Sequence, residues 1–231
     1  MPIIQDKEFG KVTIRRSQMA TQVKIRVAPD GTLHASLPMY APTFLVKGLL
    51  NSSRDKIRNM LSQAKPEYNY ENGMQIGKSH TLIIHTSDNN NCTVTKHGQQ
   101  IIVKLPAGIS PNNPIIARKI RDTTISALKL EAKSHLPRRL DFLASKYGFN
   151  YNNVKFSHAS SRWGSCSSKG TISLNIALMK LPFELIDYII IHELSHTKQM
   201  NHSPEFWKLV ELTDPNYKIH RKKLKLLTPS I

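Results

Sequence analysis

The stretch IIIHELSHTKQMNHS, residues 189–203, constrains the chain most. His192 and His196 are four apart, so on a helix their imidazoles leave the same face. Such a pair can hold one metal ion, and Glu193, one residue round the helix, can reach a water beside that ion. Isoleucines precede the pattern and Leu194 lies inside it, which predicts a buried helix. A buried helix rarely carries two histidines and a glutamate without giving them partners: a metal, or else hydrogen bonds inside a core. His202 adds a third imidazole. Catalytic zinc sites commonly use three protein ligands and leave a fourth position open. The spacing from His196 to His202 equals that in HExxHxxGxxH, but Gln199 stands where that pattern has glycine. Asn201 is expected to supply the left-handed residue that ends the helix. Ser203 and Pro204 then read as the N-cap and first residue of a new helix running to about Thr213. Glu205 and Glu211 compete with His202 for the third ligand place. Cys166 is read as packing near the metal, and Trp163 and Trp207 as covering the core around the metal helix.

Upstream lies SRWGSCSSKGTISLN, residues 161–175. Together with HELSHTKQMNHSPEFW it resembles the YgjP-like metallopeptidase family, which is related to the SprT-like and WLM zinc proteases. The resemblance implies Zn²⁺ as cofactor, with ligands at His192, His196 and His202 and a general base at Glu193. It also implies a peptidase. Two alternatives stay open beside it: a nucleoside triphosphate pyrophosphohydrolase, a reaction attributed to one member of the family, and a crosslink-trimming protease on DNA, as among the WLM relatives. In each, zinc would activate water, Glu193 would take the proton, and something must stabilise the developing oxyanion. Arg162 is the first candidate, since a guanidinium meets a carboxylate or phosphate bidentately; it could instead stack on Trp163. His158, Tyr188, Tyr217 and His220 are further candidates.

Charge bears on the choice. The 231 residues carry 33 Lys and Arg against 16 Asp and Glu, a formal +17. That predicts affinity for anions, so peptide, nucleotide and nucleic acid all remain possible partners. No Walker loop, zinc-finger spacing or RNA-binding signature accompanies the charge. No apolar run suits a membrane span, and no secretory signal is visible. Two distant cysteines, Cys92 and Cys166, make a disulfide scaffold improbable, and a reducing cytoplasm is expected.

The chain reads as α+β. Residues 1–105 form a mainly antiparallel N-terminal sheet region, and residues 106–231 a zincin-like helical metal-binding region with a β-hairpin. Residues 23–27 and 32–37 read as an antiparallel pair turning at Pro29–Gly31, with 11–16 as a third strand. Residues 43–64 look helical, broken near Asn51–Ser53. Strands at 81–86, 92–96 and 100–105 read as a meander. Pro106–Pro114 is the boundary linker. A long helix follows from about Asn113 to Tyr147, kinked or divided at Pro137 and capped by Gly148. Residues 154–160 and 170–176 read as a hairpin whose edge could accept an extended peptide.

Overall fold

The computed structural model describes residues 2–27, 33–63, 69–88 and 91–231. It divides into two compact units, Met1–Tyr68 and Asn69–Ile231. The expected linker at Pro106–Pro114 therefore falls inside the second unit.

The first unit has four strands, β1 (Ile3–Asp6), β2 (Gly10–Ser17), β3 (Lys24–Val27) and β4 (Leu33–Pro38), then helices α1 (Phe44–Ser52) and α2 (Arg54–Gln63). Val12, Ile14, Leu33, Ala35 and Leu37 alternate with wetter neighbours, so β2 and β4 turn one face inward. That face packs on Val46, Leu50 and Ile57 of the helices. The strand order is β1-β2-β4-β3, with β2 parallel to β4 and β3 antiparallel to it. The helix breaks at Ser53, as the Asn-Ser-Ser run implies. The turn expected at Pro29–Gly31 lies outside the described residues.

The second unit opens with the same pattern. Strands β5 (Gln75–Ile76), β6 (His80–Ser87), β7 (Thr93–His97) and β8 (Gln100–Pro106) lie in the order β5-β6-β8-β7. The meander expected here is thus corrected: β6 and β8 are parallel neighbours, and β7 lies outside β8. The reason is apolar content. Ile101, Val103 and Leu105 of β8 are buried, which suits a central strand, whereas the polar β7 is mostly exposed and belongs at an edge. A mainly antiparallel description of residues 1–105 must accordingly admit a parallel pair at the centre of each sheet.

Helix α3 (Pro114–Tyr147) follows. Asn113 caps its start by accepting from the Ile115 N–H at 3.1 Å, and Gly148, at φ 64°, ends it. Pro137 is accommodated within one continuous helix rather than dividing it. Glu131, on its buried face, accepts the backbone N–H groups of Lys78, Ser79 and His80 at 2.6, 2.8 and 3.1 Å and meets His80 Nδ1 at 2.6 Å. Gly77 permits this, since a Cβ there would lie 2.3 Å from Glu131 Oε2. Glu131→Ala would leave the His80 N–H and ring buried and unpaired and strip the part-buried Lys78 and Ser79 N–H groups of their partner. It is expected to lower stability by about 3–5 kcal/mol, read as a fall in denaturation midpoint.

A three-stranded sheet comes next: β9 (Asn153–Ser157), β10 (Gly164–Cys166) and β11 (Thr171–Asn175), in the order β10-β11-β9. The expected hairpin is displaced. β9 runs parallel to β11, and the antiparallel partner of β11 is β10, from within the loop. A 3₁₀ turn (Ile176–Lys180) leads to α4 (Phe183–Ser195), α5 (Pro204–Thr213) and α6 (Tyr217–Leu224). Lys218, Arg221, Lys222 and Lys223 lie on α6. α4 is apolar on nearly every side and packs against α3, α5, α6, β10 and β11. Among the described residues, no helix is long and apolar enough to cross a membrane.

Candidate metal centre

The centre is built on the last turn of α4. His192 and Glu193 belong to the helix and His196 caps its C-terminus. The chain then turns without a left-handed residue: no non-glycine residue has positive φ among the described residues, which corrects the role expected of Asn201. Short turns do the work instead. The Thr197 N–H bonds to the Leu194 carbonyl, and the Lys198 and Gln199 N–H groups to that of Ser195. Gln199 Nε2 then donates to Asn201 Oδ1 at 3.1 Å and Ser203 Oγ at 3.0 Å, tying the return together. Ser203 caps α5 through the Phe206 N–H, as expected.

This path brings His202 back over the helix. Its Nε2 lies 3.1 Å from His192 Nε2. The ligand atoms of His192, His196 and His202 all lie within 4.8 Å of one another. Nitrogens round a tetrahedral zinc sit about 3.4 Å apart, so the trio fits such an ion. His196 Nδ1 is 3.1 Å from the Gln199 carbonyl oxygen, a bond that makes Nδ1 the donor and leaves Nε2 free to ligate. Burial, with the neighbouring His196, His202 and Arg221, pushes the His192 imidazolium down to about 3. His192 is therefore neutral, the form a metal needs. Phe206 sits beneath all three rings, stacked on His196 with centroids 4.5 Å apart. Trp207 stacks on His202 with centroids 5.6 Å apart and meets Phe206 edge-on at 5.1 Å.

The competing carboxylates lie elsewhere. Glu205 bonds to Ser203 at the start of α5, and Glu211 faces Lys218 at 3.5 Å. Cys166 is half-buried beside the histidines, and its thiol is pushed up by burial and by Glu193. Trp163 and Trp207 both pack on the main core, as expected.

Glu193 is 6% exposed. Burial pushes its carboxyl up to about 8, against the opposing charge of Arg162. Gly164 makes room for it: a Cβ there would lie 2.7 Å from Glu193 Oε1. Two pockets share Gly164, His192 and Glu193. One, of about 200 Å³, is walled by Trp163, Tyr188, Ile189 and Leu224; the other, of about 280 Å³, by Ser165, Cys166, Met200 and the other two histidines. β10, at the edge of its sheet, lines the first through Gly164 and the second through Gly164, Ser165 and Cys166.

Arg162 is exposed, with its charge felt at Glu193. Its carbonyl oxygen accepts from Asn175 Nδ2 at 2.9 Å, and that group also donates to the Ala159 oxygen at 2.6 Å. Asn175 is fully buried and so pins the whole loop. Of the other candidate donors, Tyr188 lines the first pocket, and its ring lies 6.0 Å from those of both His192 and His220. His220 Nδ1 is 2.7 Å from Asp214 Oδ2. Tyr188 alone of the five candidates lines a pocket; Arg162, His158, Tyr217 and His220 line neither of the two. The supporting parts Asn175, Phe206 and Asp214 are not marked by ligand chemistry; Asn175 stands at the end of the Arg-Trp-Gly-Ser-Cys segment, and Phe206 lies four residues after His202.

A family model described as YgjP-like, metallopeptidase domain, matches residues 21–226. No curated protein matches the chain. Among solved structures, the metallopeptidase zymogen of Pyrococcus abyssi abylysin is similar at 30% identity over 39% of this chain and 93% of that one, with a TM-score of 0.36. The metallopeptidase zymogen of Methanocaldococcus jannaschii jannalysin is similar at 23% identity over 39% and 96%, with a TM-score of 0.35.

Proposed function

The chain belongs to the YgjP-like metallopeptidase family, and on that premise we propose that it is a zinc-dependent peptidase acting on extended peptides. The observation that carries this reading is the convergence of three imidazoles on one point beside a buried carboxylate and a free strand edge. His192, His196 and His202 hold the ion. Zinc, when bound, supplies Lewis acidity towards the water and the scissile carbonyl, and its charge favours the ionised form of Glu193.

The protein's own groups do the rest. Glu193 takes a proton from the attacking water and returns it to the leaving amine. Its position is held by the absence of a side chain at Gly164. The edge of β10 pairs with the substrate backbone, which places residues on either side of the scissile bond over the two pockets. Arg162, exposed just before β10 and near enough for its charge to act on Glu193, offers its guanidinium to the developing oxyanion.

The test sets the zinc-loaded protein and Glu193→Gln against a panel of unstructured peptides, casein and the four nucleoside triphosphates. Peptide hydrolysis by the unsubstituted protein alone, with the nucleotides intact, is the expected outcome. Nucleotide hydrolysis that disappears in Glu193→Gln, without peptide cleavage, would transfer the site to phosphate chemistry.

Arg162 has its own check. Arg162→Lys keeps the charge but not the planar fork. A role at the oxyanion predicts a fall in kcat of about tenfold or more with little change in KM.

A further inference from the structure

The two four-stranded sheets share one plan: the same strand order, the same parallel central pair, and a helix leaving the third strand of the order. They differ at one edge. In the second unit the outer strand β7 is packed by α3, a single long helix. In the first unit the corresponding strand is β3, and the helical segment is broken in two at Ser53. Between β3 and the helices lies an open groove of about 230 Å³.

Its lining is distinctive. Val23, Ile25, Leu49, Ile57 and Met60 form an apolar floor, and Lys24, Arg26 and Lys56 supply positive charge along it. Strand register separates the two. Ile25 and Val27 lie opposite the buried Ala35 and Leu33, whereas Lys24 and Arg26 lie opposite Ser36 and His34 on the outward face. β3 pairs with β4 on one side, and its other side is a sheet edge. The unit's described carboxylates, Asp6, Glu8 and Asp55, all pair with Arg54 or Arg58. Among the described residues, none neutralises Lys24, Arg26 or Lys56.

We propose that this groove is a peptide-docking site, separate from the metal centre, which takes an extended segment of alternating acidic and apolar residues as an added strand on β3. Its backbone would pair with the free edge. Its apolar side chains would enter the floor beside Ile25 and Met60, and its carboxylates would stand opposite Lys24 and Arg26. Nucleic acid fits less well. The groove carries no aromatic side chain on which a base could stack, and single-strand binders depend on such platforms.

The experiment uses the full zinc-loaded chain carrying Glu193→Gln, so that a bound peptide is not cut. A fluorescein-labelled decapeptide alternating Glu and Val is titrated by anisotropy, alongside the same peptide with Lys for Glu and a labelled oligothymidylate. The Glu-Val peptide alone should bind well, and added salt should weaken it. Lys24→Glu/Arg26→Glu/Lys56→Glu should weaken it at least about tenfold, with unchanged zinc content and circular dichroism. Met60→Asp, a single change, should weaken it as well and serves if the triple variant does not fold. Binding untouched in either folded variant, no binding at all, or an oligothymidylate that binds more tightly and displaces the peptide would each overturn the proposal.

Discussion

Gly164→Val is expected to abolish most peptide hydrolysis while leaving the metal in place. A Cβ at this position would lie 2.7 Å from Glu193 Oε1 and 2.8 Å from its Cγ, closer than side-chain carbons are found. Gly164 pairs with Leu174 across β10 and β11, so the strand cannot retreat without breaking its ladder. Glu193 lies on the buried face of α4, so the helix cannot retreat either. The carboxylate must swing away. Displacing a catalytic group by about 1 Å can cost 10²-fold, and losing general-base assistance about 10²–10⁴-fold. The expected loss in kcat/KM is therefore at least about 10²-fold, measured on a chromogenic peptide, with zinc content unchanged. Gly164→Val at full activity would show that Glu193 has room to spare and is not held for proton transfer.

Glu193→Gln should separate catalysis from stability. Its kcat should fall by about 10²–10⁴-fold, because glutamine accepts no proton at neutral pH. The metal-free protein should respond in the opposite direction. In the fold the Glu193 carboxyl is pushed up to about 8, mainly by burial, from an ordinary value of 4.5. Below pH 4.5 it is protonated in both folded and unfolded chains and contributes no pH dependence. Between pH 4.5 and 8 the unfolded chain loses this proton while the folded one keeps it, so folding stability falls as pH rises. Above pH 8 that loss is complete. In chelator-treated samples, Glu193→Gln should thus gain stability relative to the unsubstituted protein across this window, by a few kcal/mol. Parallel pH profiles of the two metal-free proteins in urea would contradict the buried, protonated state.

The metal helix was the most legible part of the chain. Helix spacing alone brings His192 and His196 to one face, and Glu193 is adjacent in sequence, so little else could intervene in placing them together. His202 was legible for the same reason, although the turn reaching it was not. Gln199 replaces backbone strain at Asn201 with side-chain hydrogen bonds, and such bonds leave no periodic signal. Most strand positions were also legible, because alternation marks them one by one; the short β1 and β5 were not, having too few residues in alternation. Strand order was not. Placing β8 between β6 and β7 depends on which strand is apolar enough for the centre, and that is a comparison among distant segments. The short β10 has three residues, too few for alternation to register, yet it carries the glycine on which Glu193 depends. Asn175 and Glu131 escape for another reason: their value lies in several backbone partners that only the folded chain assembles.

A metal held by three histidines predicts a definite zinc content after exhaustive dialysis. One zinc per chain is expected in the unsubstituted protein and in Glu205→Ala and Glu211→Ala. His202→Ala should retain well under one, since losing one of three ligands costs most of the affinity. Near-stoichiometric zinc in His202→Ala, or its loss in Glu211→Ala, would contradict the account.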